Sequence, residues 1–183
     1  MLGVHEKKIP QFIYTDQINY PNHVRLFVLS VFFIALLDYV LFASFYSFSA
    51  NVFTTWMTLT LTLLLIFYAV CHFSLRYYSS SRFAGKTNIT FQAICFFTGL
   101  LLGISTIVIN YLLIRDVPNL SASHILILTA LLLTSSHIIA LTFLTQHIRY
   151  FFLFFIPSIS PLVISQIINR DQEHTLFYIA YYL

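Results

Sequence analysis

Asp38 is the residue in this chain most able to do chemistry, because it is the only acidic side chain deep inside a long apolar run. A carboxylate at the centre of a bilayer costs about 2.5–3.5 kcal/mol on insertion scales. Such a group is protonated, paired, or turned toward a wet cavity. His137, in another apolar run, is its candidate partner. At about 1.5 Å per residue, Asp38 lies about 15 Å and His137 about 20 Å from the outward-facing ends of their predicted helices, whereas His72 falls about 30 Å down. The functional reading of Asp38 and His137 is a ligand- or proton-sensing pair, and the alternative is a hydrogen bond that fixes helix register.

The remaining reactive types do not converge. His5, His23, His72, His124, His137, His147 and His174 are scattered, with no two at ligand spacing on one helix, so no metal, haem or other cofactor is expected. The two cysteines, Cys71 and Cys95, both sit in apolar runs and read as small buried side chains, not as a disulfide framework. His-Glu-x-x-His, Gly-x-Ser-x-Gly, Walker and Cys-x-x-Cys patterns are missing, which gives no ground for an enzyme.

Composition explains what must position these groups. Of 183 residues, 59% are hydrophobic and only 8% charged, against about 25% charged in a soluble domain. A soluble fold built from this chain would leave large apolar patches in water. The bilayer is the expected solvent and partner, and the net charge of +3 is no sign of nucleic-acid binding.

A spanning helix needs about 20 mostly apolar residues. Five runs qualify: Val24–Phe48, Val52–Leu75, Ile89–Ile114, His124–Leu144 and Tyr150–Ile168. A sixth begins at Leu176 and is still apolar at Leu183, so the chain reads as cut inside a sixth helix or as ending on an interfacial segment. The expected fold is an all-α, polytopic transmembrane helix bundle: residues 1–22 form a polar cytoplasmic leader and residues 23–183 the bundle. Nothing resembles a signal-peptide cleavage site. Lys7, Lys8, Arg25, Arg76, Arg82, Lys86 and Arg149 fall on one side and only Arg115 and Arg170 on the other. That bias predicts a cytoplasmic N-terminus, with the SFSAN, RDVPNLSAS and NRDQEHT connections facing outward.

Small and weakly polar residues recur at helical spacing. Thr55, Thr58, Thr62, Ala69 and His72 do so in the second run, Gln92, Gly99, Gly103, Thr106 and Asn110 in the third, and Ala130, Thr134 and His137 in the fourth. Such faces let membrane helices approach and hydrogen-bond. Gly99 and Gly103 form a Gly-x-x-x-Gly pair, read as packing within one chain. Pro157 and Pro161 each remove a backbone donor, and Ser158 and Ser160 beside them can re-satisfy freed carbonyls. A kink there is either a hinge or a packing bend.

This order of features resembles the N-terminal membrane-sensor region that precedes diguanylate cyclase (GGDEF), phosphodiesterase (EAL) or histidine-kinase output domains in bacterial signalling proteins. The likeness rests on FFTGLLLG in the third run and on Phe154, Pro157, Pro161 and Asp171 in and after the fifth. The family's Gly-x-x-Trp-Gly element is met by Gly99 and Gly103 but carries Leu102 at the tryptophan position, and Arg170 stands where glycine is common. The resemblance implies a non-enzymatic sensory module of the inner membrane. It further implies an even number of helices, an unidentified small ligand, and dimerisation through an output domain beyond Leu183. A small transporter using Asp38 and His137 in a polar path is the competing expectation.

Overall fold

A computed structural model of the protein describes residues 11–45, 50–78, 84–116, 122–144 and 148–168. Every described residue is helical. The elements are α1 (Gln11–Phe45), α2 (Ala50–Tyr78), α3 (Ala84–Asp116), α4 (Ala122–Leu144) and α5 (Ile148–Ile168). In a medium without water each backbone N–H and C=O must find a partner inside its own segment, and a helix does this for every residue but the few at its ends. The composition of these runs leaves little to oppose it, since glycine and proline are sparse.

Four helices contain stretches long and apolar enough to cross a bilayer: Asn22–Ala43, Val52–Leu75, Asn88–Ile114 and Ile148–Ser165. The apolar stretch found in α4, Thr129–Leu144, is shorter. The sixth run, from Leu176, lies outside the described residues, as do Lys7, Lys8, Arg82 and Arg170. The helices also run past the apolar stretches. α1 begins within the polar leader at Gln11, and α3 begins at Ala84, so Gly85 and Lys86, which lie between the predicted runs ending at Leu75 and starting at Ile89, belong to the first turn of α3.

The helices alternate in direction. α1, α3 and α5 start, and α2 and α4 finish, at what we term the basal end; the opposite end is distal. α3 and α5 make the most extensive contact of any pair, α1 packs on α2 and α4, and α3 also meets α2 and α4. α3 is therefore the central helix: 50% of its apolar window is buried, against 17% to 28% for the other three spans.

The distribution of polarity is the reverse of a water-soluble bundle. Phe33, Ile114 and Leu131 are 58%, 64% and 62% exposed, and many other large apolar side chains share that outer surface. Meanwhile Thr60, Thr98, Ser105, Thr106, Thr129, Ser136, His137 and Ser158 are buried. An outer surface of Phe, Leu and Ile around an interior holding hydroxyls and an imidazole suits a hydrocarbon solvent, which welcomes the former and cannot hydrogen-bond the latter.

Candidate functional site: a polar layer between two apolar cores

The buried apolar residues fall into two main groups along the bundle axis. The basal core contains Phe27, Val31, Ala35, Leu64, Phe91, Leu102, Ala140 and Phe154, together with their neighbours. The distal core contains Phe42, Phe53, Met57, Ile109, Leu112, Leu113 and Leu132. Between these groups the inward-facing positions of α1 to α4 include polar residues. On α1, Asp38 stands between Ala35 and Phe42. On α2, Thr60 stands between Met57 and Leu64. On α3, Ser105 and Thr106 stand between Leu102 and Ile109. On α4, Ser136 and His137 lie between Leu132 and Ala140, and on α5 Ser158 follows Phe154 by one turn. All five helices thus supply a polar group to one layer.

Asp38 continues the inward stripe of α1. Val24, Phe27, Val28, Val31, Ala35 and Phe42 are all buried, and Asp38 is three residues past Ala35 and four before Phe42, the spacing at which residues share a helix face. It is half-buried. His137 turns toward α5. Its ring lies 5.7 Å from that of Phe154 and 4.8 Å from that of Phe155, and its Nε2 is 2.7 Å from Ser158 Oγ. Among the described residues no hydrogen bond or ion pair joins Asp38 to His137. The two share a layer without forming a bonded pair.

The proton positions in this layer follow from counting donors. A serine hydroxyl has one proton and two lone pairs. Ser158 Oγ donates to the carbonyl of Phe155 at 2.7 Å. Its contact with His137 must then be accepted, so the imidazole carries its proton on Nε2. Ser105 is a fuller node. It donates to the carbonyl of Leu101 at 2.8 Å, and accepts from Trp56 Nε1 at 3.2 Å and from the Thr60 hydroxyl at 3.3 Å. Its one proton and both lone pairs are used, and α2 is thereby fixed to α3. Further toward the distal end the Thr129 hydroxyl donates to Asn110 Oδ1, joining α4 to α3.

Gly99 and Gly103 face α5. A Cβ on Gly99 would collide with the backbone carbonyl of Phe154. A Cβ on Gly103 would fall 2.5 Å from the Ser158 carbonyl oxygen and 3.0 Å from both the Pro157 oxygen and Pro161 Cδ. These obstacles are mostly backbone, which no rotamer change can move. The absence of two side chains is therefore what lets α3 and α5 touch along their axes. α5 stays helical through Pro157 and Pro161. Pro161 lacks the N–H that would bond the Pro157 carbonyl; the Ser160 hydroxyl reaches that carbonyl at 3.5 Å, a long contact.

Several groups stand apart from the layer. Cys71 and Cys95 are free thiols buried in the basal core. Thr98 Oγ1 is buried and has no hydrogen-bond partner among the described residues. No three His, Cys, Asp or Glu side chains converge on a metal-sized site among the described residues. The threonine stripe of α2 is a correction to the sequence reading: Thr55, Thr58 and Thr62 face outward, not into the bundle. With Thr54 and Leu59 they line an open groove of about 460 Å³. The α2 hydroxyl that enters the bundle is Thr60, outside the predicted stripe. Trp56 and Ser105 were also not singled out as contacts. Trp56 and Thr60 lie four residues apart on one face of α2, so both can reach one acceptor.

No family model matches this chain, and no curated protein or solved structure is significantly similar to it.

Proposed function

We propose that the chain is a multi-pass signal-input module of a bacterial inner-membrane signalling protein. In this reading α1 to α5 all span the membrane, the segment from Leu176 begins a sixth span, and the basal end with the N-terminus faces the cytoplasm. A stimulus, such as an unidentified small ligand, alters helix packing. The change passes along the sixth span to a cytoplasmic output domain that works as a dimer. The module itself performs no catalysis. One observation carries the reading: a polar layer drawn from every helix is capped by apolar cores toward both ends. Hydrogen-bonded layers of this kind specify one register among sliding helices, because a slipped helix strands its polar group in an apolar core. In this reading a stimulus offsets the cost of leaving that register, and the glycine-lined α3–α5 contact is where one helix can shift against another without large side chains between them.

The second reading is a small proton- or solute-coupled transporter. Asp38 on the inward stripe favours it, since an ionisable residue inside a bundle often marks a transport path. Both readings meet in one experiment with two arms. The gene is read past the codon for Leu183, and uptake of protons and solutes is measured in vesicles with wild type and Asp38→Asn. The signalling reading expects an in-frame GGDEF, EAL or kinase domain and no uptake above empty vesicles. A stop codon followed by unrelated sequence, with uptake abolished by Asp38→Asn, overturns it in favour of transport.

A further inference from the structure

Among the described residues, Arg25 at the basal end is a cation with no carboxylate beside it. Arg25 is half-buried on α1, within the apolar stretch Asn22–Ala43. Its Nη1 lies 3.4 Å from Nδ1 of His72 on α2. Arginine is always protonated and can only donate, so His72 Nδ1 is the acceptor and that imidazole is neutral. The histidine is held in place from its own helix: Tyr68 stacks on it at 6.3 Å and 26°, and Phe73 meets it edge-on at 5.8 Å. A neutral acceptor satisfies one of the five guanidinium N–H donors and none of the charge. Asp38 is the sole carboxylate among the described side chains, and it lies about 20 Å farther along α1.

The surroundings point the same way. Arg149, the other described basic side chain at this end, is exposed at the first turn of α5 and belongs to neither α1 nor α2. His23 lies within one turn of Arg25. Arg25 thus sits half-buried in the α1–α2 seam, level with the end of the apolar stretch Val52–Leu75 on α2. A membrane supplies one abundant anion at that depth, the headgroup phosphate. A phosphate presents two oxygens to a guanidinium fork and can engage the donors that His72 leaves open. Basic pockets between transmembrane helices are recognised binding places for anionic headgroups.

We propose that Arg25, oriented by His72, forms a binding site for the phosphate of an anionic phospholipid seated between α1 and α2 at the basal end. The site goes beyond the signalling reading and does not depend on it. The lipid neutralises the buried cation and ties the two helices together, so the chain is more stable in anionic membranes than in zwitterionic ones.

The test uses the full chain in detergent and native mass spectrometry, titrated with phosphatidylglycerol or phosphatidylcholine. Wild type should bind phosphatidylglycerol about fivefold more tightly, the ratio that corresponds to one basic contact worth about 1 kcal/mol. Arg25→Gln should bind the two lipids equally, and Arg149→Gln, which removes an exposed cation at the same end, should keep the preference. Arg25→Lys retains the charge should the glutamine variant not fold; it should bind phosphatidylglycerol more weakly than wild type because the bidentate fork is lost. Inorganic phosphate alone should not raise the unfolding temperature of the phosphatidylcholine-bound protein. Equal preference in wild type and Arg25→Gln, undiminished binding by Arg25→Lys, or stabilisation by free phosphate equal to that by the lipid would each overturn the proposal.

Discussion

Gly99→Val should destabilise the bundle by about 3 kcal/mol or more, at the top of the range for inserting bulk into a packed interior. The reason is the nature of the obstacle. The new Cβ meets the Phe154 backbone carbonyl, so relief requires α3 and α5 to move apart along the largest contact in the molecule. That movement would also pull Ser158 on α5 away from its bond with His137 on α4. Reversible unfolding in mixed micelles or bicelles is the measurement. Ile104→Val, on the exposed side of the same helix, should change stability by less than about 0.5 kcal/mol. A Gly99→Val protein as stable as wild type would mean that α3 and α5 do not pack as described.

Ser105→Ala should cost about 1–2 kcal/mol, which is large for a single hydroxyl in a membrane interior. Its size comes from what the substitution leaves behind. Trp56 Nε1–H and the Thr60 hydroxyl both lose their acceptor, and each donor pays for its desolvation without return. Thr60→Val removes one of those donors, so Thr60→Val with Ser105→Ala should cost less than the sum of the single changes, by about 0.5 kcal/mol or more. The chain has one tryptophan, so its emission reports the same event directly. Ser105→Ala should shift the Trp56 emission to the blue as its indole loses a hydrogen bond. Unchanged emission together with strictly additive stabilities would remove Ser105 from the centre of the layer.

Much of this architecture is legible in the sequence, for a physical reason. The hydrocarbon core demands long apolar helices and tolerates few charges, so the spans stand out as runs. Glycine is equally readable: a residue with no side chain, repeated after one turn, marks a face where backbones come close, and Gly99 and Gly103 lie against α5. Asp38 is readable too, because a carboxylate cannot face lipid cheaply.

Threonine and serine mislead. In water a polar residue on a helix marks the outside, and in a bilayer the same logic reversed would mark the inside. Hydroxyls escape that rule because they can donate to a carbonyl one turn back on their own helix. Thr62 bonds the Thr58 carbonyl at 2.7 Å and Thr142 the Ile138 carbonyl at 2.9 Å, and both side chains are exposed. The α2 stripe of Thr55, Thr58 and Thr62 was therefore free to face outward. Apolar periodicity gives no help, since Leu, Ile and Phe serve both the interior and the lipid surface. The partners of Ser105 and His137 depend on how five helices rotate about their axes, and a single helix carries little information about that rotation.

The central claim is that this chain is a membrane bundle with its polar groups turned inward and its large apolar groups turned to lipid. Single spin labels, introduced by cysteine substitution at Phe33, Ile104, Leu131, Thr60, Ser105 and Ser158 in a Cys71→Ala, Cys95→Ala background in reconstituted vesicles, test it most directly. Collision rates with molecular oxygen, which concentrates in the bilayer, and with a water-soluble nickel chelate would be compared by electron paramagnetic resonance. Labels at Phe33, Ile104 and Leu131 should collide freely with oxygen and little with the chelate, while those at Thr60, Ser105 and Ser158 should be shielded from both. Oxygen access at Ser105 and Ser158 equal to that at Ile104, or chelate access at Phe33 and Leu131, would contradict the account.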